Sequence, residues 1–244
     1  MMKRAKKAMG GAANRAAGGS SALFEQYCDP ATDEIGPEGR KFLRTLHLMP
    51  INLCVLAVLL SLMLAVHAGV ERFCSDINTD PSDRKVLLLA WKMRAKRMGF
   101  FSREEFQSGL TALKATTTAQ IQRALPGLEE QVECNPDSFR DFCTFAFKYC
   151  LTEPSQKLID IDTAVTMLAI VMPREPLMPR FCDFLKEQTE YKVINFDQWT
   201  SFLRFAQEVK PDLSNYRDED AWPILLDNFV EWGRRNADRP IDFT

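Results

Sequence analysis

Histidine is the residue that most often relays protons in catalysis, and this chain of 244 residues has only two, His47 and His67. Both flank one uncharged apolar run, so the remaining residues offer no imidazole for a Ser-His-Asp or Cys-His relay. The chain also has no glycine-rich phosphate-binding loop of the GxGxxG or Walker type. The sequence therefore predicts a protein without catalytic residues of its own.

Metal and disulfide chemistry is also excluded by residue spacing. The seven cysteines are scattered and form no CxxC pair: Cys28, Cys54, Cys74, Cys134, Cys143, Cys150 and Cys182. An odd, scattered set is typical of a reducing compartment and has the wrong spacing for zinc. A calcium loop starting at Asp29 would need an oxygen at Ala31 and glycine at Glu34. We expect no metal and no cofactor.

Charge is balanced overall but uneven at the amino terminus. The formal net charge is −2, which gives no electrostatic reason to expect nucleic acid as a partner. The first 24 residues contain five Lys or Arg side chains and no acid, among many alanines and glycines. We interpret residues 1–21 as a disordered basic tail, with a nuclear address or an organellar transit peptide as alternatives. The expected location is the nucleus, the cytoplasm or both.

The elements that position any functional side chain are predicted to be helices. Apolar residues recur at three- and four-residue spacing from position 81 onward, and Ser102 with Glu105 forms a capping-box sequence. Breaks are predicted at Pro126, Pro136, Pro154, Pro173, Pro176, Pro179 and Pro211. No alternating pattern predicts a sheet and no repeat stands out. The fold class is therefore all-α, a compact helical domain of two packed lobes.

One segment departs from this amphipathic pattern. From Met49 to Val66 the chain carries no charge and is apolar on all sides. That length reaches the lower limit for a membrane span, although Pro50 and Asn52 weaken its first turn. A membrane-anchored helical adaptor is therefore the alternative to a protein without a membrane span.

The last predicted helix, 221–232, has two different faces. Trp222, Leu225, Leu226 and Phe229 follow the spacing of a buried stripe. On another face, Ala221, Ile224 and Asp227 follow at three-residue intervals and combine small, apolar and acidic side chains. A carboxylate beside apolar surface suits a basic partner. An ordinary exposed acid would show the same spacing as Asp227. Asp197 is predicted in the first turn of the preceding helix, where an acid is favourable whether or not a partner binds there.

Several stretches resemble the potentiating-neddylation domain of the defective-in-cullin-neddylation-1-like family. They are FCSDI at 73–77, LLLAWKM at 87–93, GFFSREEF at 99–106, IDIDTA at 159–164, DQW at 197–199, and DLSNY with AWPILLDNFVEW at 212–232. The resemblance covers residues 22–39 and 70–233. The stretch KYCLTE at 148–153 and the short tail resemble a short plant-type member.

This resemblance implies a scaffold-type ligase with degenerate EF-hand-like helix pairs over residues 22–233 and a tail over 234–244. Members bind the winged-helix end of a cullin and a conjugating enzyme charged with a ubiquitin-like modifier, which they contact only indirectly. The implied cullin-binding residues are Asp197, Ala221 and Asp227, and Ile224 shares their surface. An apolar pocket for the acetylated amino-terminal methionine of the conjugating enzyme is implied at Val70, Val86, Leu89, Phe101 and Ile170, with Tyr149 and Met98 at its rim.

The sequence departs from the family at residues 40–69. Removing them joins GPEG, at 36–39, directly to VERFC at 70–74, as family members have it. Three interpretations stay open: an intron translated in frame, an isoform with an apolar helix or membrane anchor, and an apolar helix packed on the domain. Because the insert enters at Val70, we expect it to weaken binding of the conjugating enzyme and to leave the cullin surface intact.

Overall fold

The structure is a computed structural model that describes residues 18–36 and 68–236. The chain divides into two compact units, Met1–Phe139 and Arg140–Thr244. Within the described ranges, no helix is long and apolar enough to cross a membrane. The apolar run at 49–66, on which the membrane-anchored alternative depended, lies outside those ranges.

Helices make up most of the described residues of both units, which confirms the all-α prediction. The elements of the first unit are α1 (residues 18–25), β1 (Glu34–Ile35), α2 (Ala68–Asp76), α3 (Arg84–Met93), β2 (Phe101–Ser102), α4 (Arg103–Leu113) and α5 (Thr118–Cys134). Helix α6 (Pro136–Tyr149) spans the boundary and precedes β3 (Leu158–Asp160), α7 (Ile161–Val171), α8 (Met178–Glu187), β4 (Val193–Asn195), α9 (Phe196–Glu208) and α10 (Ile224–Arg235).

Each unit contains two helix–strand–helix segments whose strands pair antiparallel. Ile35 pairs with Phe101 in the first unit, and Ile159 pairs with Ile194 in the second. This is the arrangement of an EF-hand pair, as the family resemblance implied. The expectation of no sheet is wrong in detail. Strands of two or three residues are too short to leave an alternating pattern in the sequence.

Side-chain caps start the helices that follow three of these strands. Ser102 accepts a hydrogen bond from the backbone of Glu105, whose side chain accepts one from Ser102, so the predicted capping box is confirmed. Asn195 and Gln198 form a second capping box at α9. Asp160 caps α7 through the backbone amide of Thr163. Each cap satisfies amide groups that have no partner within the helix.

Helix α5 contradicts the break predicted at Pro126, because it continues through that residue. Proline removes one intrahelical hydrogen bond and crowds the preceding turn, at a cost of roughly 3 kcal/mol. Four apolar side chains on one face of the helix are buried, Ile121, Leu125, Leu128 and Val132. At about 1.5–3 kcal/mol for each buried aliphatic side chain, this packing outweighs the local penalty.

Some residues that we predicted in the two tails are helical. Residues 18–21 belong to α1, because Ser20, Leu23 and Phe24 are buried and anchor that helix. At the other end α10 extends to Arg235. The remaining tail residues, 1–17 and 237–244, lie outside the described ranges.

Aromatic side chains form the centre of each core. In the first unit the Phe106 ring meets Phe24 and Phe73 edge to face, with centroids 5.7 and 5.4 Å apart. In the second unit Phe181 stacks on Phe202 at 3.8 Å and meets Phe229 edge to face at 5.2 Å. The second cluster holds α8, α9 and α10 together, and these helices carry the candidate site.

Candidate docking site

The carboxy-terminal helix begins later than the sequence pattern predicts. Helix α10 starts at Ile224, and Pro223 before it has an extended backbone with ψ of 142°. Ala221 and Trp222 therefore precede the helix, although we predicted both within it. A proline here has no amide hydrogen to supply to the helix, and its fixed φ suits this entry position.

The buried stripe of this region is confirmed. The exposed fractions of Trp222, Leu225, Leu226 and Phe229 are 8, 1, 0 and 0%. Phe205 of α9 meets Trp222 edge to face at 5.1 Å and Phe229 at 6.0 Å. These contacts fix the start of α10 against the carboxy-terminal half of α9.

The other face of α10 is open and apolar. Ile224 is 71% exposed, the highest value among the large apolar side chains of the described ranges that are exposed. Ala221 is exposed beside it in sequence, and Asp227, one turn along the helix, is half-buried. Leaving an isoleucine in water forgoes about 1.5–3 kcal/mol of burial, so this side chain is a candidate contact for a partner.

The Asp227 carboxylate is held by a tyrosine that our sequence analysis did not single out. The hydroxyl of Tyr216 donates a hydrogen bond to Asp227 Oδ1 at 2.6 Å. Tyr216 is only 9% exposed, and burial together with this hydrogen bond raises the pKa of its phenol. Burial and the nearby Glu190 and Asp227 carboxylates also raise the pKa of Tyr191. The Asp227 carboxylate therefore faces the second unit's interior on one side.

Asp197 lies on a different helix of the same unit. It is the second residue of α9, between Asn195 and Gln198 of the capping box, and it is exposed. Phe205, which contacts α10, follows eight positions later, or roughly 12 Å along the helix axis. All four predicted cullin-binding residues thus belong to the second unit, with three at the start of α10 and one at the start of α9.

Asp197, Ala221, Ile224 and Asp227 are together called the docking surface below, and they supply two carboxylates and one exposed isoleucine. Carboxylates and an exposed isoleucine in the same unit would suit a partner that presents basic and apolar side chains together. Within residues 18–36 and 68–236, no group of three or more His, Cys, Asp or Glu side chains is placed to hold a metal.

The residues of the predicted methionine pocket are divided between the two units. In the first unit Val70, Leu89 and Phe101 are buried, whereas Val86 and Met98 are half-buried. In the second unit Tyr149 is buried and Ile170 is half-buried. Tyr149 stacks on Phe145 with ring centroids 5.0 Å apart. Their assignment to one pocket stays a prediction.

The buried cysteines are poor nucleophiles. Burial raises the pKa of Cys74 and Cys150 to about 12 and that of Cys182 to about 11. The predicted core position of Cys143 and Cys150 is confirmed, with exposed fractions of 0 and 7%. Since the thiolate is the reactive form, these three titrating thiols are inert near neutral pH.

Comparison with known proteins adds evidence of a different kind. A family model described as cullin binding matches residues 120–232, a range that contains the whole docking surface. The chain is 42% identical over 165 residues to DCN1-like protein 5 of Homo sapiens, covering 67% of this chain and 68% of that protein. It is 41% identical over 167 residues to DCN1-like protein 4 of Drosophila melanogaster, covering 68% and 66%. It is 41% identical over 164 residues to DCN1-like protein 2 of Dictyostelium discoideum, covering 67% and 61%.

Proposed function

This chain belongs to the DCN1-like family of cullin-binding proteins, and on that premise we propose that it promotes transfer of a ubiquitin-like modifier to a cullin. The chain would supply no nucleophile, acid or base. It would bind the cullin and the charged conjugating enzyme together, which raises their effective concentration and orients the reacting groups. The assignment to a plant-type member stays a prediction.

The cullin would bind at the docking surface. The observation that carries this assignment is Ile224, 71% exposed, one helical turn from a carboxylate that a buried tyrosine holds. An isoleucine presented to solvent beside a fixed negative charge gives a partner both apolar area and an ion pair. We propose that the winged-helix end of the cullin supplies the basic and apolar side chains.

The test is the affinity of the full chain for a purified cullin winged-helix fragment. Asp227→Ala together with Asp197→Ala should weaken binding at least about 30-fold, because removing one partner of an interfacial charge pair costs about 2–5 kcal/mol. Glu104→Ala with Glu130→Ala is the matched control. Glu104 is the second residue of α4, as Asp197 is of α9, and both control residues are exposed. Equal affinities for the two double variants would refute the docking surface.

We propose a conjugating enzyme with an acetylated amino terminus as the second partner. Val70, Val86, Leu89, Phe101 and Ile170 would contact its methionine, with Tyr149 and Met98 at the rim. Acetylation removes the charge of the amino terminus, so the methionine side chain can be buried without desolvating an ammonium group. The half-buried Val86, Met98 and Ile170 are the members with surface available for this contact.

The insert should affect this second partner and not the cullin. An acetylated amino-terminal peptide should bind more weakly to the full chain than to a variant lacking residues 40–69, since α2 carries Val70 directly after that segment. The cullin fragment should bind both forms equally. Equal peptide affinities for the two forms would contradict this proposal.

We also propose that the protein acts in the nucleus, the cytoplasm or both. The support is the basic composition of residues 1–17. Fluorescence imaging of the full chain and of a variant lacking these residues separates the two locations. Localisation of the full chain to an organelle other than the nucleus would contradict the proposal.

A further inference from the structure

The segment between α9 and α10 contains the DLSNY stretch at 212–216, to which the docking surface assigns no role. Its last residue, Tyr216, is buried and donates its hydroxyl to Asp227 Oδ1 at 2.6 Å. The guanidinium of Arg234 lies 5.5 Å from the centroid of the same ring. Tyr216 thus has its ring fixed by packing and its hydroxyl committed to one carboxylate.

The backbone before Tyr216 is held in an uncommon conformation. Leu213 has φ of 59°, in the left-handed region that residues with a Cβ rarely adopt. Its side chain is 3% exposed and fills space beside Gly233, where a Cβ would stand 2.8 Å from Leu213 Cδ1. Such a conformation persists only where the surrounding structure determines it, and such residues concentrate at functional sites.

Hydrogen bonds fix both ends of this segment. Asn215 Oδ1 accepts from the backbone amide of Lys210 at 2.7 Å, and Asn215 Nδ2 donates to the Glu208 carbonyl at 2.8 Å. Arg180 donates to the carbonyls of Pro211 at 3.3 Å and Gly233 at 2.7 Å. The segment is therefore anchored to α8, α9 and α10 at once.

We propose that Tyr216 is a positioning residue for the Asp227 carboxylate, and that residues 210–216 are folded to present it. The inference rests on the proposed function of the docking surface. A free aspartate must give up side-chain freedom when a partner binds, whereas a carboxylate already held by Tyr216 has little left to lose. Preorganisation of this kind raises affinity without adding a contact.

The test is Tyr216→Phe in the full chain, measured by association and dissociation rates with the cullin winged-helix fragment. Ordering one side chain costs about 0.5–1.5 kcal/mol, so dissociation should become about 2- to 12-fold faster. The association rate should stay unchanged, because the charge that attracts the partner is still present. A merely destabilised chain would show the reverse, since a smaller folded fraction lowers association and leaves dissociation unaltered.

The chain supplies a matched control in its first unit. Tyr27 donates its hydroxyl to Asp76 Oδ2 at 2.5 Å and is 4% exposed, so Tyr27→Phe removes the same kind of hydrogen bond away from the docking surface. Its thermal midpoint should fall about as far as that of Tyr216→Phe, with both cullin rates unchanged. Asn215→Ala should also speed dissociation, and it should add nothing further in the Tyr216→Phe background.

The outcomes distinguish failure of the positioning role of Tyr216 from failure of the proposed function on which it rests. If the wild-type chain binds and Asp227→Ala weakens binding, an unchanged dissociation rate in Tyr216→Phe overturns the positioning role alone. A slower association with unchanged dissociation also overturns it, because that result describes loss of folded protein. If the wild-type chain does not bind the fragment, the proposed function fails and the positioning role fails with it.

Discussion

The junction between β1 and α2 differs from the three other strand-to-helix junctions of the chain. At β2–α4, β3–α7 and β4–α9 the helix begins at the residue after the strand, and the last strand residue caps it. At β1–α2, residues 36–67 lie between the strand and the helix. We call these the direct junctions and the interrupted junction.

The two ends of the interrupted junction nevertheless lie in contact. A Cβ placed on Gly69 would stand 3.4 Å from the Gly36 carbonyl oxygen and 2.5 Å from that of Tyr27. Close backbone approach, which only glycine permits, takes the place here of a side-chain cap. The difference teaches that a side-chain cap orders the start of the helix at three junctions, whereas at the fourth the helix start lies against the Tyr27 and Gly36 backbone at Gly69.

The largest expected effect tests this glycine contact. Gly69→Ala would force a methyl group against the Tyr27 carbonyl and should lower the free energy of unfolding by up to about 3 kcal/mol. Gly127→Ala is the control, since Gly127 lies within α5 and a Cβ there meets nothing within 4 Å. It should raise stability by about 0.5–1 kcal/mol. Denaturant titration measures both, and a Gly69→Ala chain at least as stable as the wild type would show that the contact is unimportant.

Deleting residues 40–69 should convert the interrupted junction into a short one. The deletion places Gly39 directly before Val70, where Gly69 stands in the full chain. Closing a loop about thirty residues shorter should raise the free energy of unfolding by about 2 kcal/mol. Gly39→Ala should then be as costly in the deleted chain as Gly69→Ala is in the full chain. A deleted chain that does not unfold cooperatively would contradict the prediction that Gly39 takes the place of Gly69.

The direct junctions can be compared with one another through their caps. Ser102→Ala and Asn195→Ala each remove a capping box and should each cost about 1 kcal/mol of stability. Asn195→Ala should in addition weaken binding of the cullin fragment, because Asp197 lies on the turn that this cap orders. Ser102→Ala should leave that affinity unchanged. Loss of affinity in both variants would indicate a general effect of stability.

Sequence patterns predicted those features of the fold that depend on local spacing. The Ser102 capping box and the buried stripe from Trp222 to Phe229 are examples, since both follow from three- and four-residue spacing along the chain. The path of α5 through Pro126 escaped prediction because packing of distant residues outweighs a local penalty. The short strands escaped it because their pairing partners lie far away in the chain.

Local spacing brings together only part of the proposed docking surface. Ile224 and Asp227 share a helix face, so periodicity brings them together, whereas Asp197 on α9 entered only through the family resemblance. Tyr216 reaches Asp227 across a loop whose left-handed Leu213 no periodicity predicts. The signal that could have found Tyr216 was the DLSNY stretch itself, which lies outside any amphipathic pattern.

The smallest expected effect concerns the local opening of α2. Cys74 of α2 and Cys150 after α6 are both buried, and burial raises the pKa of each to about 12. At pH 8 only about one closed molecule in ten thousand carries either thiolate, so alkylation proceeds through opened states. Because both thiols return to the ordinary cysteine pKa near 8.5 once they are exposed, the ratio of their labelling rates compares how readily their surroundings open. Cys74 should label several-fold faster, since its helix follows the interrupted junction.

Removing residues 40–69 should make the two labelling rates equal, which mass spectrometry of the labelled peptides will measure.

The pH dependence of the free energy of unfolding has a definite sign as well. Both folded pKa values lie above the unfolded value near 8.5, so burial of the neutral thiols stabilises the fold below that pH. This contribution is lost as the pH rises toward 12, and the free energy of unfolding should fall across that range. A Cys74 that labels no faster than Cys150 would show that the glycine contact closes the interrupted junction as firmly as a side-chain cap.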